Sequence, residues 1–128
     1  MPALAKLFLV LGGVNAAMVV VLGAFGAHAL KARISSDMMA VYHTATLYHA
    51  IHALGLIAIG VVAAWLPGSG YLKSAGWTMF AGIVLFSGSL YLLSVTGARW
   101  LGAITPIGGV AFVLAWVLFC VAVLKASN

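Results

Sequence analysis

Four long runs without a charged side chain, each closed by a basic residue or a helix breaker, constrain this chain more than any other feature. Residues 7–30 carry no charge, and Lys31, Arg33 and Asp37 follow. Residues 38–66 are likewise uncharged; Pro67-Gly68-Ser69-Gly70 then breaks the run and Lys73 comes next. A third run, 74–98, stops at Gly97 and Arg99, and a fourth, 100–124, stops at Lys125. Each exceeds the ~20 residues, at 1.5 Å per residue, that cross ~30 Å of hydrocarbon. Backbone polar groups in lipid must be satisfied within the segment itself, so the runs predict helices.

Composition says the same. Charged residues make up 5% of the 128 and hydrophobic ones 66%, whereas a soluble domain carries roughly 25% charged residues. The solvent of this chain is lipid. The formal net charge of +5 comes from six scattered Lys and Arg side chains, which form no basic patch, so nucleic acid is not a partner. Single basic residues are expected to mark the ends of membrane spans. Cys120 is the lone cysteine, which excludes an intrachain disulfide and a paired-cysteine metal motif. Ala27-His28-Ala29 resembles a signal-peptide cleavage site, but the apolar run before it exceeds a 7–15-residue signal core, and the first span reads as a retained helix.

The predicted fold is therefore an all-α integral membrane bundle of four transmembrane helices with short loops. It forms a single domain over residues 1–128, with helices at about 4–30, 38–66, 72–96 and 100–125. An even number of spans places both termini on one side. Lys6, Lys73 and Lys125 fall on that side and Lys31, Arg33 and Arg99 on the other, so the positive-inside rule does not choose an orientation. Trp65, Tyr71 and Trp77 around the second loop, and Tyr91 and Trp100 around the third, are placed to form interfacial belts.

Polar side chains are distributed unevenly. Residues 42–52 hold three of the four histidines, with Tyr42, Tyr48, Thr44 and Thr46. Counting ~20 residues back from Leu66 starts the membrane portion of the second helix near Leu47. That sets His43 at the interface and His49 and His52 just inside it. His28 ends the first helix on the same side, and the third helix contributes Ser87, Ser89, Tyr91, Ser94 and Thr96 there. The other leaflet is nearly pure hydrocarbon apart from Asn15, Thr78 and small residues. Thr44, Tyr48 and His52 share one helix face, with His49 beside it, and Ser87, Tyr91 and Ser94 form a stripe on the third helix. Pro106, in the second turn of the fourth helix, frees the Gly102 carbonyl near Thr105. Polar groups in a span turn toward the bundle interior. His28, Tyr48, His49, His52, Ser87, Tyr91 and Thr105 are thus expected to form one polar cluster near the first loop. Small residues give a second pattern: Gly13-x-x-x-Ala17 and Gly23-x-x-x-Ala27 are expected to serve close packing inside the bundle.

Four stretches carry a family resemblance: Gly23-Ala24-Phe25-Gly26-Ala27-His28-Ala29-Leu30, Tyr48-His49-Ala50-Ile51-His52, Phe86-Ser87-Gly88-Ser89-Leu90-Tyr91 and Thr105-Pro106-Ile107-Gly108-Gly109. In that order, they make the whole chain resemble the bacterial inner-membrane family called domain of unknown function 423, which has small mitochondrial relatives in animals. The resemblance implies four spans, a multi-pass bacterial inner-membrane location and termini in the cytoplasm, and it implies no activity. Family members often carry Gln where His49 stands, which leaves His28 and His52 as the better ligand candidates.

No nucleophile stands beside a partner, and no carboxylate lies inside a span, since Asp37 is in a loop. The residues therefore name no catalytic group, no metal site and no cofactor. The reading they support is a non-enzymatic membrane component or assembly subunit. Its partners would be the lipid bilayer and either further copies of itself or a larger membrane complex. The alternative is a transporter or binding module for a proton, metal ion or small polar ligand, because intramembrane histidines raise that question by default.

Overall fold

Each apolar run becomes one helix in the computed structural model, which describes residues 1–127; Asn128 lies outside the described residues. Helix α1 spans Ala3–Leu30, α2 Ser36–Trp65, α3 Gly70–Thr96 and α4 Arg99–Leu124, and all four are long and apolar enough to cross a membrane. The protein is a four-helix membrane bundle. The Ser35 hydroxyl accepts the Met38 amide at 3.2 Å and the Ser69 hydroxyl accepts the Leu72 amide at 3.1 Å. These caps start α2 and α3 by satisfying amides that have no carbonyl partner in the first turn. Gly97 ends α3 with φ of +70°, a left-handed cap that glycine adopts without steric cost.

Local helix geometry departs from a uniform α-helix in three places. The last turn of α1, Gly26–Leu30, and the middle of α3, Ile83–Ser87, are wound as π-helix. Helix α4 opens with a 3-10 turn over Arg99–Ala103, and its α-helical part begins at Thr105. Pro106 therefore sits in a first turn, where its missing N–H costs no helix bond, rather than interrupting a second one.

Helix α1 packs along α2, α4 packs along α3, and α3 closes on α2. The inner pair is α2 and α3: 44% and 39% of their most apolar stretches are buried, against 17% for α1 and 22% for α4. Phe8 of α1, Leu56 and Ile59 of α2, Leu72 and Met79 of α3 and Phe112 of α4 meet in the main core. Lipid tails are as apolar as these side chains, so close van der Waals packing has to supply the attraction.

Glycine makes that packing possible, but not the glycines picked out by spacing. A Cβ at Gly12 would stand 2.9 Å from the Ala53 carbonyl oxygen of α2, so only glycine lets the two backbones approach there. Gly13 and Gly23 face open space, and Ala17 and Ala27 are exposed. The two small-residue pairs of α1 thus point out of the bundle, correcting the expectation that they pack inside it. The helix turns Gly12 and Gly26 inward instead.

Belt residues behave mostly as their positions suggest. Trp65, Tyr71, Trp77 and Trp100 are exposed, and the Lys125 ammonium lies 5.9 Å from the centre of the Tyr71 ring. Tyr91 does not join them; it turns into the bundle, toward α2.

Candidate functional site

His49 is the hub of the buried polar groups. It is the fourteenth residue of α2, about 20 Å from the start of that helix at 1.5 Å per residue, and so near its midpoint. Asn15 of α1 lies about 22 Å from the Leu30 end by the same measure. The two helices run in opposite directions between a shared loop, which brings these residues to the same height. The His49 Nε2–H donates to Asn15 Oδ1 at 2.9 Å, and the Tyr91 hydroxyl donates to His49 Nδ1 at 2.9 Å. These roles follow from Asn15, whose amide nitrogen donates to the Leu11 carbonyl at 2.9 Å and leaves its oxygen toward the imidazole. The resulting His49 is a neutral imidazole with its proton on Nε2. A single side chain thereby ties α1, α2 and α3 together. Tyr42, two turns earlier on the same face of α2, donates to the Leu22 carbonyl of α1 and sets its ring edge-on to Tyr91 at 5.3 Å.

His52 serves a different neighbour. Its Nδ1–H donates to the Tyr48 carbonyl one turn earlier at 2.7 Å, and its Nε2 accepts the indole N–H of Trp116 of α4 at 3.1 Å. This imidazole is also neutral, with the opposite tautomer, because an indole nitrogen can only donate. The ring stacks on Phe112 with centroids 3.5 Å apart and planes 8° from parallel. Tyr48 and Phe86 complete an aromatic wall around it, their rings 4.6 Å apart.

Hydroxyls make shorter-range links. Ser87, inside the π-turn of α3, donates to the Ala45 carbonyl of α2 at 2.9 Å. Ser89 pairs with Thr105 of α4 at 2.6 Å, while Ser94 bonds back to the Tyr91 carbonyl of its own helix. Among the described residues, every buried side-chain nitrogen and oxygen has a partner.

The single cluster expected from spacing is thus three separate ones. His49 joins Tyr91, His52 joins the carbonyl and ring of Tyr48, and Thr105 joins Ser89. Ser87 reaches only backbone. His28 belongs to none of them: it is exposed in the π-turn that ends α1. Helix periodicity explains the separation, since His49 and His52 diverge enough around α2 to meet α1 and α4 respectively. His49 is 2% exposed and bonded through both nitrogens, and His52, the better ligand candidate by the family resemblance, is likewise bonded through both. Two partners were missed from sequence, Asn15 and Trp116. Asn15 is the lone carboxamide within the four helices, and that isolation was its signal.

Comparison with known proteins agrees with the architecture. The family model described as "Protein of unknown function (DUF423)" matches residues 22–109. The chain belongs to this family. UPF0382 membrane protein YwdK of Bacillus subtilis is 54% identical over 120 residues, which cover 94% of this chain and 98% of that protein. A UPF0382 membrane protein of Staphylococcus epidermidis is 48% identical over 123 residues, covering 96% and 99%. No solved structure matches. The DUF423 match takes in His49, His52, Ser87, Tyr91 and Thr105, whereas Asn15 and Trp116 lie outside residues 22–109. This DUF423 member is a small multi-pass membrane protein.

Proposed function

We propose that the protein is a non-enzymatic component of a membrane assembly, lying in the plasma membrane of a bacterium with both termini in the cytoplasm. The observation that carries this reading is the engagement of both ring nitrogens of His49 and of His52 with other groups of the protein. A histidine that binds a metal ion or relays a proton needs a nitrogen free to accept one. Here three of the four nitrogens fasten α2 to another helix, and the fourth, His52 Nδ1, is held by the Tyr48 carbonyl of α2 itself. Hydrogen bonds between helices in bilayers contribute ~0.6 kcal/mol on average, so a handful of them suits a framework. The contact surface of that framework is the outer face of α1, where Gly13, Ala17 and Ala27 lie open. Small side chains there permit the close helix approach seen in membrane assemblies.

The test is oxidative cross-linking in native membranes. Cys120 is exposed and is first replaced by Ala; Gly13→Cys or Ala17→Cys is then introduced. The expected result is one adduct of defined mass, whose stoichiometry native mass spectrometry gives. Monomer alone from both variants would overturn the reading.

A further inference from the structure

Between α1 and α3 the surface sinks into a groove of about 350 Å³. Val14 and Met18 of α1 and Phe80 and Val84 of α3 form its walls. Val14, Met18 and Val84 are about half exposed, so the groove opens sideways into the bilayer. The π-turn of α3 runs along one wall, a feature that recurs at functional sites in helices. Its surface is otherwise apolar, and three polar residues, Asn15, His49 and Tyr91, lie at its floor, the first two almost wholly covered.

Those three groups are bonded to one another without being saturated. The Asn15 amide nitrogen carries two N–H groups, and one of them, to Leu11, has a protein partner. The other is a donor on the floor of an apolar groove, and what it lacks is an acceptor such as a carbonyl oxygen. Its height narrows the ligand class. Asn15 and His49 lie near the middle of their helices, about 20 Å from the helix ends at the first loop, which sets them within a ~30 Å hydrocarbon layer rather than at its headgroup edge. Ester carbonyls of glycerophospholipids sit at that edge, beside the headgroups. A carbonyl carried into the middle of the bilayer on an apolar body is the chemistry of a lipid-soluble quinone. We propose that this groove binds the head ring of a membrane-dissolved quinone. One carbonyl accepts the second Asn15 N–H, the ring lies against Phe80, and the tail leaves between Val14 and Val84. The inference concerns binding alone and is independent of the assembly role, so either can fail without the other.

Thermal unfolding of the full chain in quinone-free nanodiscs tests it. The probes are decylubiquinone, methyl laurate as an acyl-ester carbonyl, and dodecane as a tail alone. A ligand that binds only the folded state raises Tm in a saturable way. Decylubiquinone should do so while methyl laurate and dodecane do not. Gly88→Leu should abolish the rise by filling the groove. A Cβ at Gly88 meets only the Ile83 carbonyl oxygen, at 3.9 Å, so that variant should fold; lipid-facing Val84→Trp provides a second block. Asn15→Leu should weaken decylubiquinone about tenfold, the order expected for one lost hydrogen bond. No saturable rise, an equal rise with dodecane, or an undiminished rise in folded Gly88→Leu or Val84→Trp would overturn the proposal. A rise with methyl laurate equal to that with decylubiquinone would assign the groove to acyl lipid and overturn it as well.

Discussion

Replacing His49 with Leu should destabilise the protein more than removing its whole polar neighbourhood. His49→Leu deletes two hydrogen bonds and leaves the Asn15 oxygen and the Tyr91 hydroxyl buried opposite an alkyl group. An orphaned buried polar group costs ~1–3 kcal/mol, while each bond made in a bilayer contributes only ~0.6 kcal/mol. The single variant should therefore lose about 2–4 kcal/mol, most of it from the two orphans. The triple variant Asn15→Leu, His49→Leu, Tyr91→Phe leaves no orphan. It should fall within about 1–2 kcal/mol of the natural protein, the sum of the lost bonds and some repacking. The assay is reversible unfolding in mixed micelles with increasing dodecyl sulfate, followed by helical circular dichroism. The ordering is the test, because it does not depend on the absolute scale. If the triple variant is less stable than His49→Leu, or if the three single losses simply add, the buried network is not coupled and the reasoning fails.

Further outcomes follow from other contacts. His52→Ala should lose the stack on Phe112 and the Trp116 bond, costing about 2–4 kcal/mol through the cavity and the orphaned indole N–H. His52→Gln, which keeps a donor and an acceptor, should lose less than half of that in the same unfolding assay. Gly12→Val should prevent α1 from seating on α2, because its Cβ meets the Ala53 carbonyl. Gly13→Ala should leave the unfolding midpoint unchanged, since Gly13 faces open space. Cysteines introduced at Ser35 and Gly68 should be labelled by an impermeant thiol reagent from opposite sides of the membrane, Gly68 from the cytoplasmic one. Labelling of both from one side would contradict the four-span topology.

Much of this architecture was legible in the order of residues. Lone charges between apolar runs delimit the spans because a charge in hydrocarbon is costly, and Pro67-Gly68-Ser69-Gly70 separates the second span from the third because proline and glycine break a helix. The site was less legible because its geometry depends on relative height and rotation. Sorting residues by the nearest loop set Asn15 in one leaflet and His49 in the other. Both are in fact near mid-helix, and antiparallel pairing makes them level. Tyr91 fits both a belt, where a tyrosine near a helix end usually lies, and the polar stripe of the third helix; its direction is settled by His49, four turns into a different helix. The outward direction of Gly13 and the inward direction of Gly12 differ by one residue, about 100° around a helix, which a small-xxx-small spacing cannot distinguish. Trp116 carried no local signal, since an indole in an apolar run reads as lipid-facing until its N–H is given a partner.

The central claim is that His49 and His52 are neutral fasteners of opposite tautomer. Nitrogen-15 NMR of histidine-labelled protein in bilayers reads this directly, because a ring nitrogen that carries a proton and one that does not resonate far apart. Replacing His28 and His43 with Gln leaves two imidazoles to assign. The account predicts one ring protonated on Nε2, correlated with Asn15, and one protonated on Nδ1, correlated with Trp116. Two rings of the same tautomer, a ring protonated on both nitrogens, or a resonance moved by added Zn²⁺ would contradict it.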